Sequence, residues 1–266
     1  MRGPLLLIAL VAGLSAPASL AQSPDANQLT AEERASGWEL LFDGKTTKGW
    51  RSPGSERFPD GYWVVEDGLL RGAAVGNRAT DLMTTGVYRD FELRFDWKIA
   101  PGGNSGVKYL VGSSQKLVFD VGKPPSLEGT ITPGPDAMFM EVTSGLEYQL
   151  LDDERHPDGK KSTTRSGSLY ELAGFDRNVV RPAGQWNQSR ILLNRNHLEH
   201  WLNGTQVISV DLTSVAFQEA AANAPPRTRR ALQYLDKERS IALQTHTGAI
   251  WFRGIKLHRL PATPAP

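Results

Sequence analysis

The sequence predicts an all-β fold, a two-sheet antiparallel sandwich with long loop insertions. From Trp38 onward, short runs rich in Val, Ile, Leu, Phe and Trp are separated by Gly, Asn, Asp and Pro, which is typical of strands joined by turns. Helical periodicity is nearly absent, and the strands do not alternate with helices as they do in parallel α/β folds. An antiparallel barrel is the alternative that these observations leave open.

The clearest strand runs from Asp90 to Ile99, where apolar residues alternate with charged ones, so that one face is expected to be buried. Tight turns at Glu66-Asp67-Gly68 and at Asn203-Gly204 predict two hairpins. Further strands are predicted at Trp38–Phe42, Ser105–Val111, Leu146–Leu151, Trp186–Leu193, Ile241–Thr245 and Ile250–Leu257.

The 266 residues are enough for one large sandwich domain, which we place at residues 37–260. Residues 1–21 read as a signal peptide, because Arg2 precedes an apolar run and Ser19-Leu20-Ala21 offers small residues for cleavage. Residues 22–36 are then an N-terminal linker and 261–266 a C-terminal tail. We therefore expect a periplasmic or secreted protein.

Composition excludes several functional classes. A net charge of +1 provides no electrostatic reason to expect a nucleic-acid or anionic-membrane partner. The absence of cysteine excludes disulfides, thiolate metal sites and a cysteine nucleophile. The sequence contains neither a phosphate-binding glycine loop nor the Gly-x-Ser-x-Gly pattern of serine hydrolases.

Two long segments interrupt the strand pattern. Gly112–Met140 is rich in Gly and Pro and is expected to be a loop, and Leu212–Arg239 is expected to contain short helices at Phe217–Ala222 and Arg230–Lys237. Loops of this length in a domain are often functional, although a disordered insertion is the alternative.

Strand alternation places a set of polar side chains on the face opposite the core. Glu147 and Gln149 lie on one row of their strand, and Gln244 and His246 occupy the corresponding row of another. If the two strands share a sheet, these groups converge on one surface. Carboxylate, amide and imidazole groups suit the hydroxyls of a sugar, and an ordinary solvated face is the alternative.

His156 lies in a loop that follows the Glu147 strand and is rich in carboxylates, including Asp152 and Asp153. A neighbouring carboxylate orients an imidazole and raises its pKa, which suits a general base or acid. A turn stabilised by Asp side chains would explain the same residues.

Trp201 could present its flat face to a sugar ring, and Arg253 could donate to an oxyanion. Both residues have an alternative interpretation, since most tryptophans of a sandwich pack on its sheets and an arginine can serve as a structural ion-pair partner.

Seven motifs in this order resemble the 3-keto-disaccharide (3-keto-glucoside) hydrolase domain family, a concanavalin A-like jelly roll. They are Gly37-Trp38-Glu39-Leu40-Leu41-Phe42-Asp43-Gly44-Lys45, Trp63-Val64-Val65-Glu66-Asp67-Gly68, Gly103-Asn104-Ser105-Gly106-Val107, Leu146-Glu147-Tyr148-Gln149-Leu150-Leu151-Asp152-Asp153, Gly167-Ser168-Leu169-Tyr170, His200-Trp201-Leu202-Asn203-Gly204 and Trp251-Phe252-Arg253-Gly254-Ile255. One departure is Leu243-Gln244-Thr245-His246, where family members usually have aspartate in place of Thr245.

The resemblance implies an enzyme acting on a glycoside already oxidised to a ketone at sugar carbon 3. The ketone acidifies the hydrogen on carbon 2, so that a base can remove it, the carbon-1 substituent can leave, and water can add to the product. A sugar 3-dehydrogenase would have to act upstream. Two alternatives stay open: a non-catalytic carbohydrate-binding module and a retaining glycosidase with Glu147 and Asp152 as its carboxylates.

The resemblance also implies roles for individual residues. His156 is expected as the general base, supported by Asp152 or Asp153, with Glu147 as a second acid or base. A divalent metal ion is a candidate cofactor, with Glu147 and His246 as its candidate ligands. The residues expected to bind substrate are Asn104, Lys108, Gln149, Tyr170, Trp201, Gln244, His246 and Arg253.

Overall fold

A computed structural model describes residues 26–120 and 122–261 of the chain, and within these ranges the protein is a sandwich of two sheets. The predicted all-β fold is therefore confirmed. The expected signal peptide lies outside the described residues. No helix in the described ranges is both long and apolar enough to cross a membrane.

The first sheet has eight strands in the order β13-β12-β11-β7-β15-β4-β3, with β1 beside β15. Its strands are β1 (Trp38–Leu40), β3 (Trp63–Glu66), β4 (Leu69–Gly72), β7 (Phe91–Ile99), β11 (Asn187–Asn194), β12 (His197–Leu202), β13 (Thr205–Asp211) and β15 (Ile250–Arg259).

The second sheet has seven strands in the order β2-β6-β14-β8-β10-β5, with β9 beside β8. Its strands are β2 (Trp50–Arg51), β5 (Arg78–Thr80), β6 (Leu82–Thr84), β8 (Asn104–Phe119), β9 (Ser126–Leu127), β10 (Met138–Leu151) and β14 (Ser240–Leu243). Its pairs are antiparallel except that β5 runs parallel to β10.

The core lies between the inner faces of the two sheets. On β7 the apolar residues of the predicted alternation are all buried, and Trp97 is fully enclosed. Polar core groups are paired: His200 Nε2 lies 2.8 Å from the Tyr109 hydroxyl, and the Tyr148 hydroxyl donates to the Trp201 carbonyl at 3.0 Å. These bonds connect the two sheets, so the polar groups of the core also fix how the sheets stack.

The expected loop Gly112–Met140 is wrong at its two ends, because β8 continues to Phe119 and β10 begins at Met138, and between them only the short β9 is a strand. The two strands extend past the sandwich as a hairpin whose residues lie against solvent on one side, so they lack the apolar run by which a strand is recognised. The pair bends near Leu110, which has φ +53°, and its register shifts between Ser144 and Leu146.

The second long segment contains α2 (Val215–Asn223), α3 (Pro226–Ala231) and a 3-10 turn at Leu232–Tyr234. The first predicted helix is confirmed. The second begins at Pro226 rather than Arg230, because proline with its fixed φ is favoured in the first turn of a helix. A Cβ atom at Gly112 would overlap the Tyr234 ring, so this segment packs tightly where the β8 and β10 hairpin bends.

The described part of the expected linker contains a helix, α1 (Ala31–Ala35), capped by Thr30. Its Glu33 pairs with Lys256 of β15 at 2.8 Å. The Asn27 side chain donates to the Gly68 carbonyl at 2.7 Å and accepts from the Gly254 amide at 2.8 Å. Residues 26–36 are thus fastened to the first sheet.

Candidate active site

The outer face of the second sheet holds a cavity of about 720 Å³. The antiparallel register of β8 and β10 places Glu147 opposite Lys108 and Gln149 opposite Gly106 on its floor. Eight of the predicted site residues line this cavity: Asn104, Lys108, Glu147, Gln149, His156, Tyr170, Gln244 and His246. The convergence predicted from strand alternation is confirmed.

Lys108 is buried at the cavity floor, where its ammonium group lies 3.1 Å from Asp81 Oδ2. The same oxygen accepts the Thr143 amide and hydroxyl, each at 2.8 Å, while Asp81 Oδ1 has no hydrogen-bond partner among the described residues. Sequence reasoning missed Asp81, because it stands between two short strands without a pattern that marks it. The pair holds an ammonium group at the cavity floor, with the Asp81 carboxylate balancing its charge.

The Glu147 carboxyl group lies directly over Gly106, at a place that a Cβ atom on residue 106 would occupy. Burial raises the pKa of Glu147 to about 7, although the neighbouring Lys108 charge lowers it. A carboxyl group with such a pKa can both take and return a proton near neutral pH, which is what a general base and acid needs.

His156 lies beside Glu147's strand and is joined to the sheet by two amides. Gln149 Nε2 donates to Asn104 Oδ1 at 3.2 Å, and Asn104 Nδ2 lies 3.4 Å from His156 Nε2. On its other side, His156 Nδ1 accepts the backbone N–H of Asp158 at 3.2 Å. The carboxylates of Asp152 and Asp153, expected to support the ring, are bonded instead to Gly102, Arg155, Arg165 and Ser166.

These contacts decide which nitrogen of His156 holds the proton. A neutral imidazole has one N–H and one lone pair, so it cannot accept hydrogen bonds at both nitrogens. The Asp158 amide cannot turn around, whereas the side-chain amides of Asn104 and Gln149 can both be reversed. A neutral ring that accepts the Asp158 amide at Nδ1 therefore carries its proton on Nε2, the nitrogen on the Asn104 side.

The rim of the cavity is built on Tyr170, whose hydroxyl donates to Asp158 Oδ2 at 3.1 Å. The Arg227 guanidinium lies 5.6 Å from the centre of the Tyr170 ring and pairs with Glu171. Asp158 and Arg227 were both missed from the sequence. Asp158 stood within the predicted loop, but only its position two residues after His156 could have suggested the bond to the ring.

His246 closes the opposite side of the site, with its ring 5.6 Å from that of Phe119. Burial and, to a smaller extent, the Lys108 charge lower the pKa of His246 to about 4, so the ring is neutral at physiological pH. Its Nδ1 has no hydrogen-bond partner among the described residues. The nitrogen is buried, and the His246 side chain lines the cavity.

The two candidate metal ligands, Glu147 and His246, line the same cavity. Within residues 26–120 and 122–261, however, no group of three or more His, Asp or Glu side chains is arranged to hold a metal ion. The Lys108 ammonium group acts on both residues and would repel a cation there. The side chains described do not fit the expected metal site.

Three predicted site residues lie elsewhere, and for them the prediction is wrong. Asp152 accepts the Gly102 amide at 2.8 Å and Arg155 at 3.1 Å, and its carbonyl accepts the His156 amide at 2.9 Å, so it shapes the loop that carries His156. Trp201 and Arg253 belong to the outer face of the first sheet. Side-chain alternation along their strands predicted that Trp201 and Arg253 point away from the core, but it could not predict to which of the two sheets those strands belong.

The fold and the cavity together define a protein of the two-sheet sandwich class, with a polar cavity on one outer face that holds a carboxyl group of raised pKa. Comparison with known proteins makes the class specific. Over residues 37–258 the chain matches the 3-keto-alpha-glucoside-1,2-lyase-like domain, and it belongs to that family.

The relatives agree with this assignment. A 3-keto-disaccharide hydrolase of Bacteroides thetaiotaomicron is 30% identical over 241 residues, which cover 84% of this chain and 78% of that protein. A solved structure of a candidate glycosyl hydrolase from Parabacteroides distasonis is 29% identical and has a TM-score of 0.69, covering 88% of this chain and 99% of the other. A second such structure from that organism is 25% identical, with a TM-score of 0.58 and coverages of 84% and 99%. The chain is a hydrolase-like enzyme of the 3-keto-disaccharide hydrolase type.

Proposed function

We propose that this enzyme cleaves 3-keto-glycosides by removing the proton on carbon 2, eliminating the carbon-1 substituent and adding water. The observation that carries the proposal is the Glu147 carboxyl group, held over Gly106 with a pKa raised to about 7 and a buried ammonium group beside it. This arrangement offers a proton acceptor and a fixed positive charge in one cavity, as enolate chemistry requires.

The roles of Glu147 and His156 follow from their hydrogen bonds. Glu147 is the base that takes the carbon-2 proton, because its carboxylate is not committed to an ion-pair contact within the described residues. His156 presents an N–H, so it donates to the substrate, which reverses the role expected from the sequence. Lys108 stabilises the negative charge that develops on the carbon-3 oxygen.

The steps balance as follows. The C2–H electrons form the C2=C3 bond of an enolate, and the enolate then expels the oxygen on carbon 1, which takes up the proton that Glu147 has removed from carbon 2. Water adds to carbon 1 of the resulting unsaturated ketone and carbon 2 is reprotonated, giving a 3-keto sugar and a free alcohol. Asn104, Gln149, Gln244, Tyr170 and His246 line the cavity at places suited to bind the sugar hydroxyls.

A retaining glycosidase mechanism would need a close pair of carboxylates. The pair considered from the sequence is Glu147 and Asp152, and Asp152 is bound instead to the Gly102 amide and Arg155. We therefore propose no role for Asp152 in the chemical step.

The test uses a 3-keto-glucoside carrying deuterium at carbon 2, beside the same glucoside without the ketone. We expect turnover of the ketone only, with a primary isotope effect on kcat/KM or loss of the deuterium from the product. Cleavage of the plain glucoside at a similar rate, with the deuterium retained, would contradict the proposal and favour a conventional glycosidase. Binding of the ketone without turnover would favour a carbohydrate-binding module.

The proposal also fixes a place in a reaction sequence. The substrate's ketone must be produced by an oxidation at sugar carbon 3, so a sugar 3-dehydrogenase acts before this enzyme.

We further propose export through a cleaved signal peptide at residues 1–21, on the strength of the sequence pattern alone. N-terminal sequencing of the protein from its host checks this, and a mature chain that retains residues 1–21 would contradict it.

A further inference from the structure

Lys108 and Glu147 are neighbours of opposite charge that do not form an ion pair. The antiparallel register of β8 and β10 sets the two residues directly opposite each other. Residues in such positions have their Cβ atoms about 5 Å apart, and opposite charges there attract each other. Among the residues that the structure describes, however, the Lys108 ammonium group pairs with Asp81, at 3.1 Å, and not with Glu147.

The Glu147 carboxyl group is displaced along the sheet instead of pointing straight across to Lys108. It lies over Gly106, which comes two residues before Lys108 on β8 and has no side chain to occupy that position. The glycine therefore gives the carboxyl group a place diagonal to Lys108. This place explains where the carboxyl group goes, but a second device is needed to keep the ammonium group from following it.

Asp81 is the competing partner of the ammonium group. Its Oδ2 atom accepts three bonds, from Lys108 Nζ at 3.1 Å and from the Thr143 amide and hydroxyl at 2.8 Å each. The Asp81 backbone N–H donates to the Glu141 carbonyl at 3.0 Å, so β10 fixes the residue from both its main chain and its side chain. Because the Lys108 side chain is 5% exposed, its charge depends on a carboxylate within the protein.

Stability alone explains the Asp81–Lys108 pair poorly. A buried ion pair adds little to stability by comparison with apolar residues of similar volume. Here the second carboxylate oxygen, Asp81 Oδ1, is buried without a hydrogen-bond partner among the described residues, which costs free energy. The three bonds meet at Oδ2 instead, and they give the ammonium group one defined position.

We propose that Asp81 is a positioning residue: by holding the Lys108 ammonium group, it prevents a Lys108–Glu147 ion pair and leaves the Glu147 carboxylate free to act as the base. The inference rests on the proposed function, in which Glu147 removes the carbon-2 proton. Asp81 is not among the residues that line the cavity, so it acts through Lys108 and not on the substrate.

The charges around Glu147 agree with this role. Burial raises the pKa of Glu147 to about 7; Lys108 and Arg227 lower it, and Asp81 and Glu171 raise it. A direct ion pair with the ammonium group would lower the pKa of Glu147 further and make its carboxylate a weaker base. The other titratable or charged side chains that line the cavity are His156, Asp158, Tyr170, Arg230 and His246.

The test follows the titration of Glu147 by carbon-13 NMR of protein labelled at the glutamate carboxyl carbons, with Glu147→Gln to assign the signal. Asp81→Asn keeps the shape of the side chain but removes its charge, so the ammonium group should turn to Glu147. We expect the midpoint of the Glu147 titration to fall by about one pH unit or more. For a 3-keto-glucoside at pH 8, kcat should fall by about 10-fold, because a paired carboxylate is a weaker base.

A second background separates the new ion pair from the loss of the Asp81 charge. Removing that negative charge lowers the midpoint of the Glu147 titration even if Lys108 stays in place. In Lys108→Met protein no ammonium group is left to pair with Glu147. Adding Asp81→Asn to Lys108→Met should therefore shift the midpoint clearly less than adding it to the wild type.

The matched control is Asp96→Asn. Asp96 pairs with Arg253 at the same distance, 3.1 Å, on the first sheet and does not line the cavity, so this variant should keep the wild-type titration and kcat. Melting temperatures identify variants that fail to fold. If Asp81→Asn is one of them, Thr143→Val replaces it, since it removes one of the three bonds to Asp81 Oδ2 and should shift the midpoint in the same direction.

The outcomes separate the two proposals. An unchanged midpoint in folded Asp81→Asn protein, or equal shifts in the wild-type and Lys108→Met backgrounds, would overturn the positioning role of Asp81 and leave the proposed reaction standing. If the wild-type enzyme does not turn over a 3-keto-glucoside, the proposed reaction is overturned, and the role of Asp81 with it.

Discussion

The outer faces of the two sheets carry similar polar and charged side chains, but these side chains are paired on the first sheet and partly unpaired on the second. On the first sheet the charges are paired: Arg253 with Asp96 at 3.1 Å, and Arg190 with Glu92 at 2.8 Å. On the second sheet, Glu147 lies half-buried against Gly106 with its pKa raised to about 7, and His246 Nδ1 has no partner in the described structure.

The same difference appears in the tryptophans. On the first sheet, Trp186 lies under Arg253 at 4.1 Å from the guanidinium to the ring centre, and Trp201 donates its indole N–H to Glu199 at 2.7 Å. These rings and charges satisfy one another, which stabilises a sheet surface. Groups left without partners, as on the second sheet, cost stability and are kept where a ligand or a reaction uses them.

The largest expected effect is the loss of the base. Glu147→Gln should lower kcat for a 3-keto-glucoside by about 10²- to 10⁴-fold, since an amide cannot accept the carbon-2 proton. The matched control is Glu92→Gln, the same substitution on the first sheet, which should leave kcat near the wild-type value.

The wild-type pH profile checks the same assignment. Because the base must be ionised, kcat/KM should fall as the pH drops through about 7, the pKa to which burial raises Glu147. A Glu147→Gln protein that keeps normal turnover, or an acid limb that persists unchanged in it, would remove Glu147 from the mechanism.

The next effect concerns the position of the base. Gly106→Ala places a Cβ atom where the Glu147 carboxyl group lies, so kcat should fall by about 10-fold or more in a folded protein. Gly54→Ala is a matched control, because its Cβ would displace the carboxyl group of Glu141 in the same way outside the cavity. Similar kinetics for the two variants would show that the close approach to Gly106 does not matter.

The two faces should also differ in how pH affects stability. The folded-state pKa of Glu147 is raised from 4.5 to about 7, so the folded protein holds a proton that the unfolded chain releases between these values. Stability therefore falls as the pH rises through this window, by up to about 3 kcal/mol for the full shift. Glu147→Gln should be more stable than wild type at pH 8.

Glu92 should behave in the opposite way. Burial alone would raise its pKa, but the bonds from Arg190 and Arg94 outweigh burial and lower it below 4.5. Its ionised form stabilises the fold above that value, and the contribution is lost as the pH falls through the lowered pKa. Glu92→Gln should thus be less stable than wild type at pH 8, and the difference should vanish in acid. The test is to measure the melting temperatures of Glu147→Gln and Glu92→Gln against wild type at pH 8 and pH 4. If both variants shift the melting temperature in the same direction at pH 8, the contrast between the two faces is wrong.

The smallest effect is expected on the first sheet. Trp201→Ala and Arg253→Ala should leave kcat/KM within about 2-fold of wild type, because both side chains lie on the face opposite the cavity, and each should lower the melting temperature slightly. A large loss of activity at unchanged stability in either variant would mean that the first sheet takes part in the reaction.

Much of the site could be predicted because strand periodicity is a local property. Glu147 and Gln149 share a row of β10, and the prediction that they meet Gln244 and His246 needed only the assumption that β10 and β14 lie in one sheet. The loop at His156 was found from its neighbours in the sequence. Asp81 and Arg227 could not be found in this way, since each reaches the site from a distant segment without a periodic pattern.

By itself, the sequence determined the two-sheet architecture, the polar row of the Glu147 strand and the resemblance to a family, because side-chain alternation and motif order are written along the chain. Only the tertiary structure decided which polar rows face each other, that the main chain of Asp158 rather than the Asp152 carboxylate contacts the His156 ring, and that the β8 and β10 hairpin folds over the site. The physical reason is that pairing between strands, sheet bending and burial depend on contacts between residues far apart in sequence, and these contacts set the charge and the shape of the cavity.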